Sequence, residues 1–159
     1  MSRSKGKVDM MTVSIREVTK ENLQEILSLR VSDHQKSYIE ASEQSLEDAK
    51  DCTFYRPAGL YWENVLVGFA MYGLFPGEGQ SGRVWLDRFM IDENFQGQGL
   101  GKMMLTALIE HLVNLYHCKE IYLSLYEDNY RALLLYQKFG FRFNGELDIN
   151  GEKVMVKEL

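Results

Sequence analysis

Hydrophobic and polar residues alternate along the chain with two different periods, which predicts a mixture of strands and helices. Every second residue is aliphatic in Glu120–Tyr126, as in a half-buried strand. From Leu100 to Leu115, apolar residues instead recur every three or four positions, as on one face of a helix. A further helix is predicted from Asn129 to Phe139, with Gly140 as the residue that ends it. Two helices therefore frame the strand at Glu120–Tyr126.

Turn signals and β-forming residues predict the remaining elements. A strand at Val13–Glu17 leads into a helix with Thr19 as its N-cap, and a shorter helical region, broken around Ser42–Ser45, follows. Further strands are predicted at Leu60–Trp62, Val65–Leu74 and Arg83–Asp92, and two closing strands are joined by a turn at Asn150-Gly151. The predicted order is β-α-α-β-β-β-α-β-α-β-β, an α/β (mixed α+β) arrangement.

Length and composition limit the class of protein. A chain of 159 residues is expected to form one domain. Residues 1–10 are polar and basic, and we expect a leader or disordered arm there, so that the domain spans residues 11–159. No apolar run is long enough to predict a membrane span. The two cysteines are far apart, which fits a cytoplasmic protein, and the net charge of −5 argues against a nucleic-acid partner.

A glycine-rich segment, Gln96-Gly97-Gln98-Gly99-Leu100-Gly101, lies between a predicted strand and a predicted helix. Unpaired N–H groups at a helix N-terminus can hold a phosphate, and glycine lets a ligand come close to the backbone. The segment is not a Walker A loop, because Lys102 is followed by Met, and its glycine spacing does not match GxGxxG. On its own it fits a phosphate site and a tight strand-to-helix turn equally well.

A second motif changes this balance. The pattern Gln96-x-x-Gly99-x-Gly101 is followed about 30 residues later by a helix carrying Asn129, Ala132, Leu135, Tyr136, Gly140 and Phe141. Together the two motifs resemble the GNAT family of N-acetyltransferases, and the resemblance extends from Val13 to Leu159. It implies a single-domain GNAT fold whose central parallel strands, Arg83–Asp92 and Glu120–Tyr126, splay apart.

The resemblance implies that acetyl-CoA, as a co-substrate, lies in the gap between these strands. Backbone N–H groups of the glycine-rich segment would hold its pyrophosphate, and the strand at Phe89 would pair with its pantetheine arm. The residues implied in this binding are Phe89, Met90, Ile91, Gln96, Gly97, Gln98, Gly99, Leu100, Gly101, Lys102, Asn129, Ala132 and Tyr136.

The implied chemistry is direct acetyl transfer to an amine in a ternary complex. Tyr136 corresponds to the family's general acid, although helical spacing alone fits a core aromatic residue as well. Asp87 is the candidate for the base or for an amine anchor. On a regular strand it would share a face with Trp85, Phe89 and Ile91, an unusual place for a carboxylate. An ion pair with Arg88, or a bulge that changes its facing, would explain it differently. A water chain to Glu127 is a second route for the proton.

The acceptor is harder to predict. Ser32–Asp51 is rich in carboxylates, which suits a polycationic amine but equally describes a solvated helix face. Several segments, among them "YIEASEQSLEDAK" and "VWLDRF", resemble the bacterial spermine/spermidine (diamine) acetyltransferase branch of the family. This resemblance implies a small polyamine substrate, contacted by Tyr38, Glu40, Trp85, Asp87 and Glu127. Homodimers are common in the family, so we also expect a homodimer. We expect neither membrane association nor a metal.

Three other functions remain open from the sequence. The acceptor could be another amine, such as an aminoglycoside, a protein N-terminus or a lysine. The chain could also be a regulator that binds coenzyme A without catalysis, although the presence of Tyr136 argues mildly against this. A metal enzyme is the weakest alternative, since His111 and His117 are six residues apart and do not share a helix face, and His34 is expected at the surface.

Overall fold

The protein is built on a mixed sheet with helices on both faces. Its structure is a computed structural model that describes residues 12–31 and 42–159. The strands are β1 Val13–Glu17, β2 Arg56–Trp62, β3 Val65–Phe75, β4 Arg83–Ile91, β5 Glu120–Leu125, β6 Arg142–Leu147 and β7 Lys153–Glu158. The helices are α1 Leu23–Leu27, α2 Ser42–Asp51, α3 Leu100–Tyr116 and α4 Tyr130–Lys138. Within the described residues, the predicted order of strands and helices is confirmed.

The sheet runs β1-β2-β3-β4-β5-β7-β6, and β4 and β5 are its parallel neighbours. On one face, α3 and α4 cover the larger core, to which α3 contributes Leu105, Leu108 and Leu112, all completely buried. On the other face, α1 and α2 cover a smaller core that contains Phe69 and Met71 of β3. No helix of the described residues is long and apolar enough to cross a membrane.

A bulge in β4 reverses the facing of its side chains. Met71 of β3 pairs with Arg88, whereas the next residue, Tyr72, pairs with Leu86, so that Asp87 is an extra residue in β4. Before the bulge, the even-numbered residues of β4, such as Leu86, pack into the larger core. After it, the odd-numbered residues, such as Phe89, pack against that core instead. The prediction that Asp87 shares a face with Phe89 and Ile91 was therefore wrong, because the bulge interrupts the period-2 alternation.

The parallel strands β4 and β5 separate along their length. One ladder pair, Trp85 with Tyr122, joins them, and the part of β4 beyond the bulge has no ladder pair with β5 within the described residues. In contrast, β5 pairs with β7 over its whole length, from Glu120 to Leu125. The predicted splaying of the central parallel strands is confirmed, and it leaves a cleft in the middle of the sheet.

Three local predictions were wrong. The N-cap of α1 is Asn22 rather than Thr19, and the Asn22 side chain accepts a hydrogen bond from the Thr19 backbone N–H instead. The predicted break in the helix around Ser42–Ser45 is absent, because α2 begins at Ser42 and buries both serines. The turn between β6 and β7 extends from residue 148 to 152 around Gly151 rather than being a two-residue Asn-Gly turn, because Asp148 accepts hydrogen bonds from two backbone N–H groups within it.

Candidate active site

Two cavities meet in the cleft between β4 and β5. The larger has a volume of about 450 Å³ and is lined by the first half of β4, by β5 and by the loop between β6 and β7. The smaller, of about 200 Å³, lies between the end of β4 and the start of α3. Phe89, Asn129, Ala132 and Tyr136 line both. A molecule in either cavity would therefore reach the same four residues. Below, the larger is called the acceptor cavity and the smaller the donor cavity.

The glycine-rich segment forms one wall of the donor cavity. Gly97 and Gly99 have positive φ angles of 79° and 78°, which only glycine adopts without strain. Apart from their neighbours in sequence, no atom of the described residues lies within 4 Å of where their Cβ atoms would be. Gly99 is the N-cap of α3 and provides no side-chain cap, so the first N–H groups of α3 keep their hydrogen-bonding capacity. Gln96 braces the loop through a 2.9 Å hydrogen bond from Nε2 to the Ile91 carbonyl.

The remaining predicted donor residues surround this loop. Leu100 anchors α3 with a buried side chain, whereas the side chains of Gln98 and Lys102 are exposed. Met90 is buried in the smaller core, and with Phe89 and Ile91 it forms the β4 wall of the donor cavity. Asn129 caps α4 without a side-chain capping bond, which leaves its amide for the cleft.

Tyr136 lies where the two cavities join. Its side chain is 9% exposed, and its ring packs edge-on against Phe141 with ring centroids 5.7 Å apart. Within residues 12–31 and 42–159, no hydrogen bond to its hydroxyl is formed. Burial raises the pKa of Tyr136, so the phenol keeps its proton at neutral pH. The arrangement provides a protonated hydroxyl that can donate to a group in the cleft.

Asp87 is part of a charged network that joins β4 to α2. Its carboxylate forms an ion pair with Nη1 of Arg88, and Nη2 of the same guanidinium lies 3.1 Å from Asp48 of α2. Asp87 and Arg88 are both largely buried, with side chains 20% and 16% exposed, and both line the acceptor cavity. Tyr55 lies nearby, and burial together with the charge of Asp87 raises its pKa to about 12. The bulge and the ion pair considered from the sequence are thus both present.

The outer wall of the acceptor cavity carries acidic residues that the sequence did not single out. Glu78 accepts a 2.8 Å hydrogen bond from Nε1 of Trp85, and Arg83 makes two hydrogen bonds to Glu146. Asp148 accepts a 2.8 Å hydrogen bond from Ser124 of β5. Glu78 and Asp148 lie in loops that show no periodic pattern, and Glu146 lies in β6. The one available signal was the carboxylate density near the Asn150-Gly151 turn.

The five residues predicted to contact the amine do not all lie at the acceptor cavity. Trp85 and Asp87 line the acceptor cavity. Glu127 lies outside its wall, with a side chain 63% exposed and an ion pair to Lys153 at 2.8 Å. Tyr38 and Glu40 lie outside the described residues. Of the predicted acceptor contacts, the structure therefore brings Trp85 and Asp87 together.

The histidines considered as metal ligands have other surroundings. Nε2 of His111 lies 2.9 Å from the hydroxyl of Tyr72, and burial lowers the pKa of this histidine. His117 is the C-cap of α3, in the left-handed conformation. His34 lies outside the described residues. Among residues 12–31 and 42–159, no three His, Cys, Asp or Glu side chains cluster as the ligands of a metal ion would.

Known proteins resemble this chain in sequence and in fold. Residues 22–141 match the acetyltransferase (GNAT) family. The chain is 62% identical over 152 residues to a Bacillus subtilis (strain 168) protein named spermine/spermidine N(1)-acetyltransferase, an alignment that covers 94% of this chain and 100% of that relative. A Bacillus subtilis subsp. natto protein named probable spermine N(1)-acetyltransferase has the same identity and coverage.

Solved structures share the fold at lower sequence identity. The aminoglycoside acetyltransferase AAC(6')-Ib in complex with coenzyme A has a TM-score of 0.74 at 21% identity, over 92% of this chain and 95% of that chain. A GNAT family acetyltransferase from Elizabethkingia anophelis with acetyl-CoA bound has a TM-score of 0.63 at 20% identity, over 93% and 99%. At these identities the similarity shows a common architecture.

Proposed function

The chain belongs to the acetyltransferase (GNAT) family, and from this premise we propose that it transfers the acetyl group of acetyl-CoA directly to a primary amine of a spermidine- or spermine-type polyamine. That it is an acetyl-CoA-dependent acetyltransferase follows from the family. The polyamine acceptor is our proposal, and the observation that carries it is the 62% identity to a protein named for that acceptor, over that protein's full length. The acidic wall of the acceptor cavity supports the same choice.

Acetyl-CoA fits the donor cavity by the chemistry of the residues there. The open space beside Gly97 and Gly99 and the uncapped N-terminus of α3 suit a pyrophosphate, which the N–H groups from Gly97 to Lys102 would bind. Phe89 to Ile91 of β4 pair with β3 but form no ladder pair with β5 within the described residues, so this edge can accept the pantetheine arm as an added strand. In this arrangement the thioester would extend towards the residues that both cavities share.

We assign the role of general acid to Tyr136. When the tetrahedral intermediate collapses, the carbon–sulfur bond breaks and the thiolate of coenzyme A needs a proton. The Tyr136 hydroxyl is protonated at neutral pH, is bonded to no group of the described chain, and lies where the cavities join. It can therefore give its proton to the departing sulfur, a contribution of about 10²- to 10⁴-fold for such a catalyst.

We assign Asp87 as the base or the amine anchor. The attacking amine must be neutral, yet an aliphatic amine is mostly protonated near pH 7, so its proton has to be removed in the site. Asp87 lies on the acceptor side of the cleft, and its ion pair with Arg88 holds the carboxylate in place. Glu127 is the other carboxylate proposed for the proton, through water, from its exposed position beyond the cavity wall.

We also propose that the reaction proceeds through a ternary complex, which the shape of the cleft supports. Donor and acceptor would enter from the two cavities and meet at Tyr136, so no covalent intermediate with the enzyme is required. Holding both reactants in one cleft turns the transfer into an effectively intramolecular step. The cytoplasmic location and the homodimer stay predictions.

The proposal is tested by incubating the protein with acetyl-CoA and single amines while the release of free thiol is followed. We expect thiol release with spermidine and spermine, and mass spectrometry should show acetylation on a primary amine. Release with aminoglycosides or with lysine peptides but not with polyamines would assign another acceptor. Binding of acetyl-CoA without release for any amine would assign the non-catalytic regulator instead.

A further inference from the structure

Glu78 brings a carboxylate to the acceptor cavity from the loop between β3 and β4. It is half-buried, and its Oε1 accepts the 2.8 Å hydrogen bond from the indole of Trp85, which holds the carboxylate against the cavity wall. We propose that Glu78, held by Trp85, binds the second charged nitrogen of the acceptor. This inference rests on the proposed polyamine acetylation and adds to it the residue that selects for a second ammonium group.

The first support is the charge of Glu78. Asp87 faces the guanidinium of Arg88. Asp148 keeps its negative charge, but both of its carboxylate oxygens already accept hydrogen bonds, from Ser124 and from two backbone N–H groups. Within the described chain, the hydrogen bond to Glu78 comes from a neutral indole, which leaves the negative charge of the carboxylate in place.

Arg83 interacts electrostatically with Glu78, but it is shared with Glu146 and so does not cancel the charge. Its guanidinium is held by two hydrogen bonds of 2.7 and 2.9 Å to Glu146, and it lies over the ring of Tyr122 at 4.4 Å from the centroid. One guanidinium and the two carboxylates of Glu78 and Glu146 together leave a net negative charge at this end of the cavity. A cation that enters is therefore attracted, and Trp85 adds an aromatic face beside it.

The second support is the spacing along β4. Trp85 comes two residues before Asp87, a separation along the chain of at most about 7 Å, since the bulge at Asp87 can only shorten the extended length. Two nitrogens joined by four methylene groups are about 6 Å apart in an extended chain, given covalent bonds near 1.5 Å. An acceptor whose reacting amine lies at Asp87 therefore brings its next ammonium to Trp85 and Glu78. A monoamine has no group for this position.

The test compares Glu78→Gln with the wild-type protein, using spermidine and a monoamine of matching length as acceptors. Glutamine keeps an oxygen for the Trp85 hydrogen bond and removes only the charge. We expect kcat/KM for spermidine to fall about tenfold, mainly through KM, as is typical when one charge-assisted contact is lost. The kcat/KM for the monoamine and the KM for acetyl-CoA should stay within about twofold of the wild-type values.

Two further variants separate this role from others. Glu63→Gln removes a charge from the exposed β2–β3 turn and should change neither acceptor, which controls for the overall charge. Glu78→Asp keeps the charge with a shorter reach and should recover part of the spermidine activity. An equal loss for both amines, or unchanged kcat/KM for spermidine in Glu78→Gln, overturns the inference. A wild-type protein that acetylates neither amine overturns the proposed function itself.

Discussion

Replacement of Tyr136 by Phe isolates one hydroxyl group in the cleft. The ring would keep its edge-on contact with Phe141 and its place in the larger core. Because the hydroxyl is bonded to no group of the described chain, its removal leaves no partner unsatisfied. The free energy of unfolding should therefore change by less than about 1 kcal/mol. Any large effect on activity can then be assigned to the chemical step rather than to the fold.

We expect kcat of Tyr136→Phe to fall at least 100-fold, because the thiolate would leave without its proton donor. A loss of 100-fold corresponds to about 2.7 kcal/mol of transition-state stabilisation, at the lower end of what general acids contribute. The KM for acetyl-CoA should change less than twofold. Thiol release at saturating spermidine measures kcat, and equilibrium titration with coenzyme A measures donor affinity independently of turnover.

Tyr130→Phe is the matched control, since Tyr130 begins the same helix with a side chain that is 70% exposed. It removes the same atom and should leave kcat unchanged. A Tyr136→Phe enzyme that keeps more than half of its turnover would remove Tyr136 from the mechanism. A matching loss of turnover and of donor affinity would show instead that Tyr136 positions acetyl-CoA.

Three further predictions concern the glycine-rich segment and the fold. Gly99→Ala should cost about 1–2 kcal/mol of stability in urea unfolding because of its φ of 78°, and it should raise the KM for acetyl-CoA about tenfold or more. Gly145→Ala, which has a similar φ and open surroundings on β6, should cost as much stability but leave that KM unchanged. Burial lowers the pKa of His111, so the unfolded chain binds more protons than the folded chain between that pKa and about 6.5. The free energy of unfolding should therefore rise as pH increases through this window. His111→Gln should flatten the rise in denaturant titrations. Asp92→Ala should destabilise the protein by about 1–3 kcal/mol in chemical unfolding, because the buried carboxylate accepts two backbone N–H bonds that would lose their partner; a cost below 0.5 kcal/mol would contradict this.

The element order was predictable because it depends on local patterns. Helical spacing defines α3 and α4, period-2 alternation defines β5, and the Glu63-Asn64 turn between β2 and β3 shows the positive φ angles that such a hairpin needs. The conformation of the glycine-rich segment was predictable for the same reason. Its three glycines stand within six consecutive residues, and the positive φ of Gly97 and Gly99 is a requirement of the backbone alone.

The acceptor side depends on contacts between distant segments. The network from Asp87 through Arg88 reaches Asp48, 40 residues earlier in the chain, and the hydrogen bond from Ser124 to Asp148 spans 24 residues. Neither leaves a periodic trace in the sequence. The bulge at Asp87 is equally hidden, because it arises from the register between β3 and β4. The strand was therefore predicted correctly, but the side of the sheet that the Asp87 side chain faces was not.

That bulge also separates two tasks within one strand. Trp85 and Asp87, at or before it, belong to the acceptor cavity, while Met90 and Ile91, after it, line only the donor cavity. Because Asp87 is also proposed as the base or the amine anchor, a substitution at Trp85 is the change expected to alter which amine is used without disturbing the residues proposed to hold the acetyl donor. A single strand thereby lets such a protein acquire new acceptors by point mutation while its donor stays the same, which makes position 85 a natural site for redirecting the enzyme by directed evolution.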